Sequence, residues 1–262
     1  MARALITGCS TGIGRATAVE LTKRGHEVVA TARTPSVLDD LDVAMRLPLD
    51  VCSDASVAAA VDAAGPVDIL VNNAGVGVGG PVERVRLEDA QALFDTNVWG
   101  AVRMVQALAP GMRARSHGWI VNISSAMGRA VAPLGGFYAA SKWALEALSE
   151  AMETELGHFG IHVLVIEPGY IATPMLERET TPVAPPYDEL ERLWHDAVGQ
   201  LQGEGPPGPE LVASAIADAL EADAPKLRHP VGADAEMIIA LRDSMGYEEF
   251  VGTVREMLGI NW

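Results

Sequence analysis

Lysine is scarce in this chain. Only three of its 262 residues are Lys, Lys and Arg together number 19 against 35 Asp and Glu, and the formal net charge is −16. That balance leaves no basic face for nucleic acid or an anionic membrane surface, so neither is expected as a partner. Charged residues make up 21% of the chain and are spread along it, as on a solvated acidic surface. Cysteine is rarer still. Cys9 and Cys52 make neither a metal spacing nor a disulfide framework, and neither is assigned a redox role. His158, His162 and His195 lack metal spacing and read as surface or loop residues, so no metal is expected. No apolar run reaches the ~18 residues a membrane span needs. Met1 to Gly8 run straight into a strand and turn without the sections of a signal peptide, and the expected location is cytoplasmic.

What is present is glycine (26 residues) and a hydrophobic fraction of 49%, enough for one large α/β domain with a substantial core. Arg3 to Thr7 reads as a short buried strand. Gly8 to Gly14 reads as a turn, followed by a helix to Arg24 capped by Gly25, and Glu27 to Thr31 as a second strand, which together make a βαβ unit. The alternation continues with strands at Ala44 to Leu49, Val67 to Val71, Gly118 to Ile123, Ile161 to Ile166 and Lys226 to Val231. Between and after them fall helices at Ser53 to Ala64, Leu87 to Arg115 with a break near Asn97, Tyr138 to His158, Glu210 to Glu221 and on to the C-terminus. Nearly continuous apolar strands alternating with helices indicate a doubly wound parallel sheet of about seven strands, a Rossmann-type α/β fold covered on both faces. Residues 1–262 are read as a single domain. Seven of the 16 prolines fall between 173 and 209, where only Tyr187 to Leu201 looks helical, and 170–209 is expected to be a substrate-binding lid.

Two stretches carry chemistry. A glycine turn between a first strand and a first helix lets a diphosphate approach the backbone at the helix's positive end, which nominates Gly8, Gly12, Ile13 and Gly14 for a dinucleotide. In Tyr138-Ala-Ala-Ser-Lys142 the phenol and the ammonium leave one face of a helix. A phenol with an ordinary pKa near 10 is a poor proton donor or acceptor at neutral pH, and a neighbouring ammonium lowers that value. On its own, this spacing equally fits an exposed helix that happens to carry both residues.

Thr7-Gly8-x-x-x-Gly12-x-Gly14, Asn72-Asn73-Ala74-Gly75, Asn97, Ser125, Tyr138-x-x-x-Lys142 and Pro168-Gly169, in that order, resemble the short-chain dehydrogenase/reductase family over most of residues 3 to 175. The resemblance implies a catalytic set of Asn97, Ser125, Tyr138 and Lys142. In it the tyrosine is the proton donor in reduction, the serine hydrogen-bonds the substrate oxygen, and the lysine also holds the nicotinamide ribose. The asparagine holds a water linked to the lysine. Family spacing to the tyrosine selects Ser125 over Ser124. The resemblance also implies that Asp50 and Val51 line the adenine pocket, and that Asn73, Ala74, Gly75, Pro168, Gly169, Ile171 and Thr173 contact the cofactor. It implies, too, a homodimer or homotetramer through the long helices.

The end of the second strand bears on cofactor choice. It has Ala32 and Arg33 with no carboxylate before Asp39, which favours the 2′-phosphate of NADP over the free ribose of NAD, with Ser10 and Thr11 as further hydroxyl contacts. Met127, Leu134, Tyr170, Met175 and Trp194 lie near the catalytic segments or in the expected lid, and with Ser125 they nominate an apolar ketone, aldehyde or secondary alcohol; all five are also ordinary packing residues. The expected function is NADP(H)-dependent interconversion of a carbonyl and an alcohol. The alternative is a non-catalytic NADP(H)-binding redox sensor, which has no chemical need for the full set of Asn97, Ser125, Tyr138 and Lys142.

Overall fold

A computed structural model describes residues 1–175, 183–202 and 205–260. Its strands are β1 (Arg3–Ile6), β2 (Glu27–Ala32), β3 (Met45–Pro48), β4 (Ile69–Asn72), β5 (Gly118–Ile123), β6 (Ile161–Pro168) and β7 (Arg228–Val231). They form one sheet in the order β3-β2-β1-β4-β5-β6-β7, and every neighbouring pair is parallel. The order reverses between β1 and β4, and such a switch point opens a crevice at the carboxyl ends of the strands. The chain is thus the seven-stranded, Rossmann-type parallel sheet that its strand pattern predicts.

Period-two alternation divides the core. Ala4 and Ile6 of β1 face one side of the sheet, with Val28, Leu164 and Ile166. There they meet Leu21 of α1 (Gly12–Lys23) and Val212 and Ile216 of α7 (Glu210–Leu220). Leu5, between them in sequence, faces the other side with Val29, Leu70 and Ile120, under Met104, Leu108 and Met112 of α4 (Gly100–Arg115) and Val57 of α2 (Asp54–Ala64). Leu5, Leu70 and Leu164 are each at most 1% exposed, so truncating any of them to Ala costs about 2–5 kcal/mol. The remaining helices are α3 (Leu87–Phe94), α5 (Gly136–Gly157), α6 (Asp188–Gln202), α8 (Ala233–Ser244) and α9 (Tyr247–Leu258).

The expected break near Asn97 is instead a single π turn, Asp95–Trp99, through which α3 passes into α4 without leaving helical backbone. A π turn widens the helix locally and re-aims one side chain. Here that side chain is Asn97. Ser53 caps α2 as its position implies, its hydroxyl accepting from Ser56 N. Residues 176–182 and 203–204 of the expected lid lie outside the described residues.

Candidate active site

The turn after β1 is held from beneath by the segment after β4. Thr7 Oγ1 accepts from the backbone N–H groups of Asn73 and Ala74, and Asn73 Nδ2 donates to the carbonyls of Thr7 (2.8 Å) and Gly8 (3.0 Å). Gly8 and Gly12 sit at φ +73° and +57°, in the left-handed region open to glycine. A Cβ on Gly14 would collide with Asn73 Nδ2 and stand 2.5 Å from Gly8 O, so α1 starts closer to the sheet than any other residue permits. Thr11 precedes α1 without a side-chain capping bond, and the first turn of that helix holds no acidic residue. Its N–H groups and dipole therefore remain available to an anion. Gly169 follows β6, with Pro168 buried at that strand's end; Ile171 is buried, and Thr173 Cγ2 packs beside Gly12.

Ser10, Thr11 and Arg33 are exposed, and Ile13 is half-buried. Arg33 directly follows β2 and has no hydrogen bond or ion pair among the described residues. Asp50 is exposed and its carboxylate accepts from Cys52 N (3.0 Å), whereas Val51 is buried against Gly100. Ala74 and Gly75 are half-buried, and a Cβ on Gly75 would stand 3.4 Å from Asn97 Oδ1. This crevice fits a dinucleotide: close-approach glycines, an uncapped helix N-terminus and an unengaged guanidinium lie at the ends of β1 and β2.

Asn97 ties two walls together. Its Oδ1 accepts from Val76 N (2.8 Å), while its Nδ2 donates to Val76 O (3.0 Å) and to Ser141 Oγ (3.1 Å) on α5. Lys142, 6% exposed, donates from Nζ to Ile123 O (2.8 Å) at the end of β5, and Nζ stands 5.6 Å from the centre of the Tyr138 ring. Burial draws the Lys142 ammonium down to about 8, and Glu146 opposes the fall. Tyr138 departs from expectation. Burial pushes its phenol above the ordinary value, with the Ser125 hydroxyl beside it acting the other way. Ser125 Oγ also accepts from Met127 N (3.1 Å) and contacts Pro168 O at 3.5 Å. Ser125, then, faces the tyrosine, while Ser124 is buried beside Glu146. A cavity of about 10 Å³, room for roughly one water, is lined by Asn72, Asn97, Ile123 and Lys142. Asn72 Oδ1, close to this space, has no partner among the described residues.

The apolar residues nominated for substrate are scattered around this point. Met127 lies over Gly135, Met175 (40% exposed) packs against Gly77, and Leu134 holds φ +61° while its carbonyl accepts from Gly80 N (2.7 Å). Tyr170 N donates to Asp234 Oδ2 (2.7 Å), and burial beside that carboxylate pushes its phenol to about 12. Trp194 is half-buried on α6. The sequence reading missed Glu146, 4% exposed beside Ser124, and Glu167, 0% exposed. The signal for Glu146 was its place one helical turn after Lys142; for Glu167 it was a lone charge in an apolar strand.

A family model described as short chain dehydrogenase matches residues 2–183. The chain is 37% identical over 261 residues to retinol dehydrogenase 8 of Bos taurus, covering 91% of this chain and 84% of that one. It is 44% identical over 182 residues to retinol dehydrogenase 8 of Homo sapiens, covering 64% of this chain and 58% of that one. Among solved structures, a short-chain dehydrogenase from Streptomyces avermitilis superposes with a TM-score of 0.83 at 34% identity, covering 100% and 98% of the two chains. The closed form of serine dehydrogenase complexed with NADP+ gives 0.77 at 27% identity, covering 88% and 95%.

Proposed function

The chain belongs to the short chain dehydrogenase family, whose members carry out NAD(P)-dependent oxidoreduction, and we propose from that premise that it interconverts an apolar carbonyl compound and its alcohol using NADP(H). One observation carries the reading: the hydroxyls of Ser125 and Tyr138 lie together beside the buried Lys142, at the carboxyl ends of the strands that also present the glycine turn.

The residues that hold the cofactor are Gly8, Ser10, Thr11, Gly12, Ile13 and Gly14 for the diphosphate and its surroundings, and Arg33 for the 2′-phosphate. Asp50, Val51, Asn73 to Gly75, Pro168, Gly169, Ile171 and Thr173 border it. The NADP+ held by serine dehydrogenase supports the same choice here. When bound, the nicotinamide supplies or accepts the hydride. In the direction of reduction, Tyr138 gives its proton to the oxygen of the carbonyl, and Ser125 hydrogen-bonds that oxygen as charge develops on it. Tyr138, with its phenol held high by burial, stays protonated at neutral pH and suits the donor role. Lys142 carries its charge below about pH 8 and stabilises the phenolate left behind. Asn97 fixes the wall of the one-water cavity, from which Lys142 and the unpartnered Asn72 Oδ1 share a solvent molecule.

Met127, Leu134, Tyr170, Met175 and Trp194 form the substrate side, with 170–209 as its cover in a single-domain enzyme. An apolar substrate is also supported by the name of the retinol dehydrogenase relatives. Exposed Trp99 and Trp143, immediately before α4 and on α5, support self-association through those helices. Among the described residues no helix is long and apolar enough to cross a membrane, and the reading places the enzyme in the cytoplasm. The test is NADPH oxidation, followed by absorbance, across apolar aldehydes and ketones. Turnover with preference for NADPH over NADH supports the proposal, and inactivity across all classes with NADPH still bound favours the sensor.

A further inference from the structure

We infer that Glu146 is a positioning residue for the Tyr138–Lys142 pair, its buried carboxylate supplying the negative charge that keeps the Lys142 ammonium charged one helical turn away. The catalytic importance of Lys142 rests on the function proposed above; the electrostatic claim does not.

Tyr138, Lys142 and Glu146 follow one another at four-residue intervals on α5, so they share one face of the helix. Lys142 and Glu146 are 6% and 4% exposed. Around Lys142 the other polar residues lining the small cavity, among them Thr7, Asn72 and Asn97, are uncharged. Glu146 is built into place from several elements. Arg228 of β7 donates from Nε to Glu146 Oε2 (3.0 Å) and from Nη2 to Glu150 (2.6 Å), and its Nε lies 3.5 Å from Glu167 Oε1 of β6. Arg129 reaches Glu167 Oε1 (3.3 Å) and Asp243 of α8 (2.8 Å). Gly128 closes over the carboxyl, where a Cβ would stand 3.2 Å from Glu146 Oε1. Ser124 lies beside Glu146, yet Ser124 Oγ and Glu146 Oε1 make no well-formed hydrogen bond.

Four carboxylates thus face two guanidiniums. Glu150 and Asp243 lie on the exposed rim, and of the four carboxylates Glu146 is the buried one that stands a single helical turn from Lys142. Burial pushes the Glu146 carboxyl up, and Ser124 and Arg228 pull it back toward the charged form. Burial of Lys142 without this neighbour would draw the ammonium below the value of about 8 that it keeps.

With three lysines in the chain, the test is direct. Protein labelled with ¹³C at lysine Cε gives three signals, and Lys142→Arg identifies the one from Lys142. We expect its titration midpoint near pH 8 in the parent protein. In Glu146→Gln it falls by about one pH unit, in Glu146→Asp it recovers at least half of that shift, and Lys23 stays in place as an internal reference. A Lys142 midpoint unmoved in a folded Glu146→Gln protein overturns the inference. If that variant does not fold, Glu146→Met, which fills the site with an apolar side chain while Arg228 keeps its bond to Glu150, carries the same expectation and the same refutation. The signal needs no turnover. A chain inactive on every carbonyl would defeat the proposed function, while the lysine titration would decide this claim separately.

Discussion

Asn73 and Gly14 occupy adjoining space at the switch point: the Asn73 amide stands where a side chain on Gly14 would have to be. The amide is committed to the carbonyls of Thr7 and Gly8, so it has no free direction in which to yield. Gly14→Ala should therefore destabilise the protein by about 1–3 kcal/mol, lowering the melting temperature by several degrees on the scale of roughly 2–4 °C per kcal/mol for a domain this size. Thermal unfolding followed by circular dichroism checks this. An unchanged melting temperature would mean that α1 can move away from β4 at no cost.

Tyr138→Phe removes a hydroxyl and little else. Carbonyl reduction should fall by at least about 10²–10⁴-fold, with NADPH affinity, read by fluorescence titration, changed by no more than a few-fold. Retained turnover would defeat the proton-donor role.

Arg33 has no partner among the described residues, so its replacement disturbs nothing else. Arg33→Ala should weaken NADPH binding by about 10–100-fold, the value of a charge-assisted contact, and leave NADH nearly unaffected. Equal losses for both cofactors would contradict a 2′-phosphate contact.

Glu167 makes stability depend on pH in a defined direction. Burial, reinforced by Glu146, raises its carboxyl from 4.5 to about 7. The folded state therefore holds this proton more tightly than the unfolded state. Its contribution is full below about pH 4.5 and is lost as pH rises toward 7, with a span of at most on the order of 3 kcal/mol. Unfolding of Glu167→Gln by urea between pH 5 and 8 should show a flatter decline than the parent protein. An identical decline in both would assign the pH dependence elsewhere, for instance to general repulsion in a chain of net charge −16.

The strands and the glycine turn were legible because their causes are local. Val163 to Ile166 is apolar along both faces, and Gly8 and Gly12 occupy backbone that other residues avoid. Asn97 was legible as an interruption but not as a π turn, since a polar residue in a helical run marks a break and a bulge alike. The upward push on the Tyr138 phenol was not legible because spacing shows the ammonium of Lys142 and hides the desolvation that comes with burial. Glu146 and Glu167 escaped notice for a related reason. Their partner Arg228 lies 82 residues beyond Glu146, and the local signals, a helical spacing and a lone charge in an apolar strand, do not reveal that the two carboxylates meet it. Of the residues proposed for substrate, the sequence supplied only apolar character; their common target depends on loops whose course no periodicity describes.

The 22 residues of α5 span about 33 Å at 1.5 Å per residue. Tyr138, Lys142 and Glu146 are therefore mounted on one rigid rod, while the expected substrate contacts at Leu134, Tyr170 and Met175 belong to the connections around it. A chain built this way can be redirected to a new carbonyl by exchanging loops, since the proton-handling groups keep their spacing whatever is grafted beside them.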